Sequence, residues 1–183
     1  MGDDILGQRL YRPWRDLLAA SGAESTCMPS LLPAEQWPGL LRQLHGTLRP
    51  GERVALAVWG DLDTCPIFRA LDAILREVGA AGAADKLAAP FRAGDAAAIE
   101  RMVRDAGFAG CKVEARKLDL VLEGGLGQAL ALLAETPAGD DVAALPDAAR
   151  VGLVAAAERH LSMLGDAGAV RAPMLAHVAV ATR

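Results

Sequence analysis

No run of lysine or arginine occurs in this sequence of 183 residues, and acidic side chains outnumber basic ones by 23 to 19, for a net charge of −4. A nucleic-acid-binding role therefore lacks the cationic stripe that phosphate contacts require. Long apolar runs are missing too. Glycine, proline or charge breaks each of them well short of the ~20 residues that span a bilayer, so no membrane association is expected. Cysteine is scarce: Cys27, Cys65 and Cys111 lie far apart and none sits in a CxxC. An odd number argues against a disulfide framework, and reduced thiols in a cytoplasmic protein are the expectation. The opening MGDDILGQRL is acidic and then polar, not the basic-then-apolar order of a secretory signal. The histidines, His45, His160 and His177, show no HxxxH or HExxH spacing, so no metal site is expected. No Ser/His/Asp or Cys/His arrangement is legible. What the chain does have is hydrophobic bulk, 52% of residues with only 4% aromatic. That is enough for one globular domain with a core, and neither an internal repeat nor a linker divides residues 1–183.

The pattern of apolar residues predicts a mixed α/β fold with three strands. DDILGQRLYRPWRDLLAA carries Ile5, Leu6, Leu10, Trp14, Leu17 and Leu18 on one face. Pro13 interrupts it, which predicts two short helices with a kink. Residues 21–36 read as loop with at most a few residues of strand. Trp37, Leu40, Leu41, Leu44 and Leu48 have the spacing of an amphipathic helix, which Pro50 and Gly51 stop. The strand RVALAVW follows, apolar on both faces like a strand of a parallel sheet covered on both sides. A helix is predicted over Ile67–Val78, with Gly79 as its cap. AAGAADKLAAPFRAG reads as a small-residue connection. Asp95 then caps a helix that buries Ile99, Met102, Val103 and Ala106. KVEARKLDLVLE alternates as a strand but slips by one near Arg116, as at a bulge or twist. GGLGQALALLAETP is a short helix, Leu145–Leu164 a long one with Leu153, Val154, Ala157, Leu161 and Leu164 inward, and LAHVAVATR a closing strand.

In order, LRPGERVALAVWGDLDTCPIFRALDAILREVG, APFRAGDAAAIERMVRDAGF and APMLAHVAVATR resemble the C-terminal half of class I S-adenosylmethionine (SAM)-dependent methyltransferases. The closest group is the ubiquinone/menaquinone-biosynthesis type. There "LRPGG" precedes the fifth strand, which ends in "AVW", a "GF" pair precedes the sixth, and the seventh lies antiparallel at the C-terminus. LGQRLYRPWRDLLAA looks like the "FRPWAEDLL" helix that covers the family's cofactor site. In that family the helix leads to a strand ending in GxGxG and then to an acidic residue for the ribose, the arrangement that lets backbone approach a nucleotide. Here SGAESTCMPSLLPAEQW follows at once, with no room for these features between Ala20 and Trp37. The resemblance therefore implies a truncated Rossmann-like methyltransferase fold of about three strands, two parallel and the last antiparallel, with flanking helices. Residues 1–20 match the lid, 21–36 the apparent deletion and 37–183 the C-terminal half, with Cys27 as the stub of the fourth strand.

No cofactor-binding residue carries over to such a chain, and SAM is not expected as its ligand. On the substrate side, the resemblance retains Arg12 and Trp14 of the lid, Trp59 and Gly60 after the strand, and Phe91. These residues either line a leftover pocket for a small apolar molecule or fill the core. Asp61 and Asp63 are a carboxylate pair or solvated loop acids at a strand end where α/β sites gather. His160 is a general base or an ordinary helical histidine. Gly124–Gly127, GGLG, is a dinucleotide turn or a helix start; Leu130 stands where the third glycine would be. Val54–Trp59 also needs a neighbour on its open edge. The 25–30 stub, a second copy of the chain, or a different protein, such as an intact methyltransferase, supplies it. Two functional classes follow. One is a non-catalytic dimerising or partner-binding module. The other is an enzyme, either a methyltransferase completed by a partner chain or a SAM-independent enzyme in the old substrate pocket.

Overall fold

The structure is a computed structural model that describes residues 4–166 and 168–183. Its strands are β1 (Ser25–Cys27), β2 (Arg53–Trp59), β3 (Ala109–Leu122), β4 (Gly165–Asp166) and β5 (Ala169–Thr182). Its α-helices are α1 (Arg12–Ala19), α2 (Trp37–Thr47), α3 (Pro66–Glu77), α4 (Ala81–Ala88), α5 (Ala96–Asp105), α6 (Gly125–Glu135), α7 (Gly139–Ala143) and α8 (Asp147–Leu161). The strands form one mixed sheet in the order β1-β2-β5-β3, with the two-residue β4 folded back onto β5. The α/β class read from the sequence is what the chain adopts. Three strands was an undercount. Neither β1 nor β4 is long enough to show a hydrophobic period.

The described residues group into two compact units. The sheet-centred unit comprises Arg12–Asp61, Pro90–Leu118 and Leu175–Arg183. Its organising element is β2, buried from Val54 to Trp59. β1 pairs with it in parallel, Ser25 opposite Val54 and Cys27 opposite Leu56. β5 pairs with its other edge antiparallel, from Arg53 opposite Thr182 to Trp59 opposite Ala176. Both neighbours that the sequence demanded thus come from the same chain, one of them the short stub. Because cross-strand partners share a face, Val54, Leu56 and Val58 stand with Ala179 and Ala181. They form one core cluster with Trp37 and Leu41 of α2, Ile99 and Val103 of α5, and Phe108. The start of β2 is tied down at both edges. The Glu24 N–H donates to the Arg53 carbonyl at 3.1 Å, and the Arg183 N–H to the Glu52 carbonyl at 2.9 Å.

The helical unit comprises the described residues within 4–11, Leu62–Ala89 and Asp119–Met174. In it α3 packs on α4 and α8, and α6 on α7 and α8. The first helical turns, Leu6–Tyr11, are a π-helix, and α1 starts at the next residue, Arg12, with Pro13 in its first turn. The sequence predicts two short helical segments here, and a change of helix type between Tyr11 and Arg12 separates them. The Glu135 carboxylate accepts the N–H groups of Ile5 at 3.1 Å and Leu6 at 2.7 Å, occupying donors that a helix start leaves unpaired. Three sequence-based expectations are corrected here. Residues 81–88, read as connection, are α4, since alanine is the best helix former and needs no apolar stripe. The long helix expected over 145–164 begins only at Asp147, because Pro146 supplies a non-helical N-cap, and α7 precedes it. Val154, read as inward, is 45% exposed, while Leu153, Ala156, Ala157 and Leu161 face inward.

β3 has the phase change the sequence suggested. Cys111 and Val113, at odd positions, pack on the sheet-centred core, whereas Leu120 and Leu122, at even positions, are buried further along the strand. Leu56→Ala is expected to lower unfolding stability by about 2–5 kcal/mol, since the cavity would lie beneath the central strand. Gly46→Ala is expected to raise it by up to about 1 kcal/mol, because a Cβ there meets nothing within 4 Å. Urea titration followed by circular dichroism checks both.

Candidate functional site

In α/β sheets ligands gather beyond the C-terminal ends of parallel strands. Here that place is where β1 and β2 finish, and it lies within the sheet-centred unit. β1 is stopped by Pro29 and passes into a single 3-10 turn, Pro29–Leu31. β2 ends on Trp59 and Gly60. Trp14, from the first turn of α1, meets the Trp59 ring edge-on, with centroids 5.5 Å apart and planes at 74°. This is the preferred geometry of an aromatic pair. The Trp59 backbone N–H donates to the buried Ser30 hydroxyl at 3.1 Å. Gly94 lies so close to the end of β2 that a Cβ there would be 2.7 Å from the Gly60 carbonyl carbon and 2.8 Å from the Trp59 oxygen.

Five of the six residues singled out from the sequence belong to this unit. Trp14, Trp59 and Phe91 are only 1%, 2% and 4% exposed. All three are buried and present almost no surface to a ligand. Arg12, Asp61 and Arg92 are exposed. Each stands two residues from one of the close contacts, Trp14, Trp59 and Gly94 respectively, and none is without a partner. Leu31 and Leu32, just past β1, are 51% and 40% exposed. The arrangement is a closed aromatic plug with a charged and leucine-bearing rim. Ser30 and Gly94 were not identified from the sequence. The only hints were a small polar residue directly after a strand-ending proline, and a glycine beside the helix-capping Asp95.

The sixth residue, His160, lies in the helical unit on α8. Its Nε2 is 2.8 Å from the carboxylate of Glu77 on α3, and Arg159 holds the other carboxylate oxygen. These two partners hold the Glu77 carboxyl below its usual range, the His160 hydrogen bond most of all. His160 is thus part of a brace between two helices. Asp63 is exposed, its carboxylate 3.8 Å from Arg69. Gly125 of the GGLG stretch has φ +57, and a Cβ on it would lie 2.3 Å from the Gly168 carbonyl oxygen. The stretch is the start of α6, with protein backbone packed where a phosphate would have to approach.

The three cysteines are free thiols, and burial pushes that of Cys27 up to about 12, leaving it inert near neutrality. Among the described residues no group of three or more His, Cys, Asp or Glu side chains is placed to hold a metal ion. None of the described helices is long and apolar enough to cross a membrane. Comparison with protein-family models and with curated proteins gives no match to this sequence.

Ser30→Ala strands the buried Trp59 N–H and is expected to cost about 1–3 kcal/mol of stability. Gly94→Ala forces a backbone shift and is expected to cost a similar amount, about 1–3 kcal/mol. Chemical denaturation measures both. The Glu77 carboxyl is depressed in the folded state, so its stabilisation is present above the ordinary value of 4.5 and is lost as pH falls below it. Glu77→Gln is therefore expected to give a flatter stability profile than the wild type on acidification, measured by urea melts at successive pH values.

Proposed function

We propose that the chain is a methyltransferase-like remnant that lacks the nucleotide-holding half of the fold and acts by binding a protein partner, not by methyl transfer. The observation that carries this reading is the outer end of the sheet. β1 is three residues long, follows the lid-like α1 after only Ala20–Glu24, and has no further strand beyond it among the described residues. In this reading, the described residues supply no backbone on that side to cradle an adenosine. The burial of Trp14, Trp59 and Phe91 supports the same reading, because side chains that would line a substrate pocket expose almost no surface. The parallel β1–β2 pair and the antiparallel β5 agree with what the resemblance implies for its fourth, fifth and last strands.

The partner surface in this reading is the free edge of β1. The two edges of the sheet differ in chemistry. β3 carries Lys112, Glu114, Arg116, Lys117 and Asp119, and charge on an edge strand deters pairing. β1 is Ser25-Thr26-Cys27, with no charge. A second copy of the chain, paired edge to edge across a two-fold axis, is the partner this favours. Cytoplasmic residence, in keeping with three free thiols, belongs to the same reading.

Calorimetric titration with SAM and with S-adenosylhomocysteine is expected to show no binding. A dissociation constant in the micromolar range, about −8 kcal/mol, would overturn the non-catalytic reading. Light scattering on the purified chain at micromolar concentration is expected to give a dimer; a monomer there would rule out self-association through β1.

A further inference from the structure

A cleft of about 360 Å³ opens at the surface of the sheet-centred unit, where α2 and α5 lie side by side. Pro38 and Arg42, one turn apart on α2, form one wall. Ala98, Arg101, Met102 and Asp105 form the other, at the spacing that puts them on a single face of α5, and Ala106 is the buried end of the floor. The volume is at the lower end of the range for small-molecule sites.

Two of its lining charges are arginines outside the ion pairs that hold many others, such as Arg9 with Glu123, Arg76 with Asp72 and Asp85, Arg150 with Asp147, and Arg171 with Asp119. Even Arg104, on the same helix as the cleft, is held by Glu100. Among the described residues Arg42 and Arg101 have no such partner, and they face the cleft from opposite walls. Asp105, one turn past Arg101, is in ion-pair contact with neither. The cleft thus sets two unneutralised guanidiniums over an apolar floor of Met102, Ala98, Ala106 and Pro38. Guanidinium groups bind planar oxyanions in charge-assisted pairs, and an apolar floor retains a hydrocarbon body.

We propose that this cleft binds a small amphipathic anion, an apolar group bearing a single carboxylate or sulfonate. The oxyanion lies between Arg42 and Arg101, and the apolar body covers Met102. Asp105 opposes a second negative charge, which sets the preference for a monoanion over inorganic phosphate. The site is independent of the methyltransferase-like reading and stands or falls without it.

The probe is 8-anilinonaphthalene-1-sulfonate, which has the required rings and a single sulfonate and emits more strongly and to the blue when desolvated. Fluorescence titration of the full chain is expected to show saturable binding at one site. The double variant Arg42→Gln/Arg101→Gln is expected to weaken it at least about tenfold, and Asp105→Asn to strengthen it. N-phenyl-1-naphthylamine, the same rings without the sulfonate, is expected to bind weakly and equally to all three proteins. Both arginines are exposed, so melting temperatures are expected to stay within a few degrees of wild type. Unchanged sulfonate affinity in the double variant would overturn the proposal, because binding would then lie elsewhere. Displacement of the probe by inorganic phosphate as readily as by naphthoate would overturn it as well, since the site would then read charge alone.

Discussion

A strand that is apolar on both faces has to find cover for two faces and partners for two edges. β2 is that strand, and the rest of its unit is arranged to meet those four demands. Its backbone groups are paired along three residues by β1 and along all seven by β5. One face is closed by α2 and α5 with Trp37 and Phe108 among the contacts, and Trp14 of α1 packs against Trp59 at its C-terminal end. Burial of this kind supplies roughly 25 cal/mol per Å² of apolar surface removed from water. That is why the chain tolerates a partner as short as Ser25–Cys27: the stub closes an edge while the large contacts lie elsewhere.

The same economy closes the ligand-binding end of the sheet. In a longer sheet the loops after adjacent parallel strands diverge and leave a crevice. Here only two parallel strands end side by side. The turn after β1 is tied to the end of β2 by the Trp59–Ser30 hydrogen bond, and Gly94, just before α5, packs closely on Gly60. Trp14 and Trp59, which a resemblance would place around a substrate, are packed edge-on against each other instead. What stays accessible at that end is a rim of charge and leucine. The open volume of this unit lies on its flank, between two helices.

Legibility followed the length of the signal. β2 and α3 were plain in the sequence because their patterns extend over seven residues or more. The Asp95 cap was plain because it rests on one residue with one dominant behaviour; the Asp95 carboxylate indeed accepts the Ala97 N–H at 3.0 Å. β1 was at the limit, since three residues carry no period. α4 was missed because alanine marks a helix by propensity and not by contrast. The break at Pro146 was available in the sequence, but the apolar spacing across it outweighed a single residue. The candidate site was the least legible part. Trp14, Trp59 and Phe91 could be named, but whether they face a ligand or one another depends on contacts between residues far apart in the chain. The partner of His160 is Glu77, 83 positions away, and no local pattern identifies it.

The pairing of Arg53 with Thr182 has a kinetic side. Contacts this distant in sequence form late, because a long loop must close before they contribute anything. While a nascent chain is still on the ribosome, β2 can emerge and find β1, but its other row of N–H and C=O groups stays bare until β5 has been translated. A refolding chain faces the same interval. During it the most apolar segment of the protein offers an unprotected edge to any neighbouring molecule, so yield on refolding should fall with protein concentration even though the finished sheet hides that edge completely.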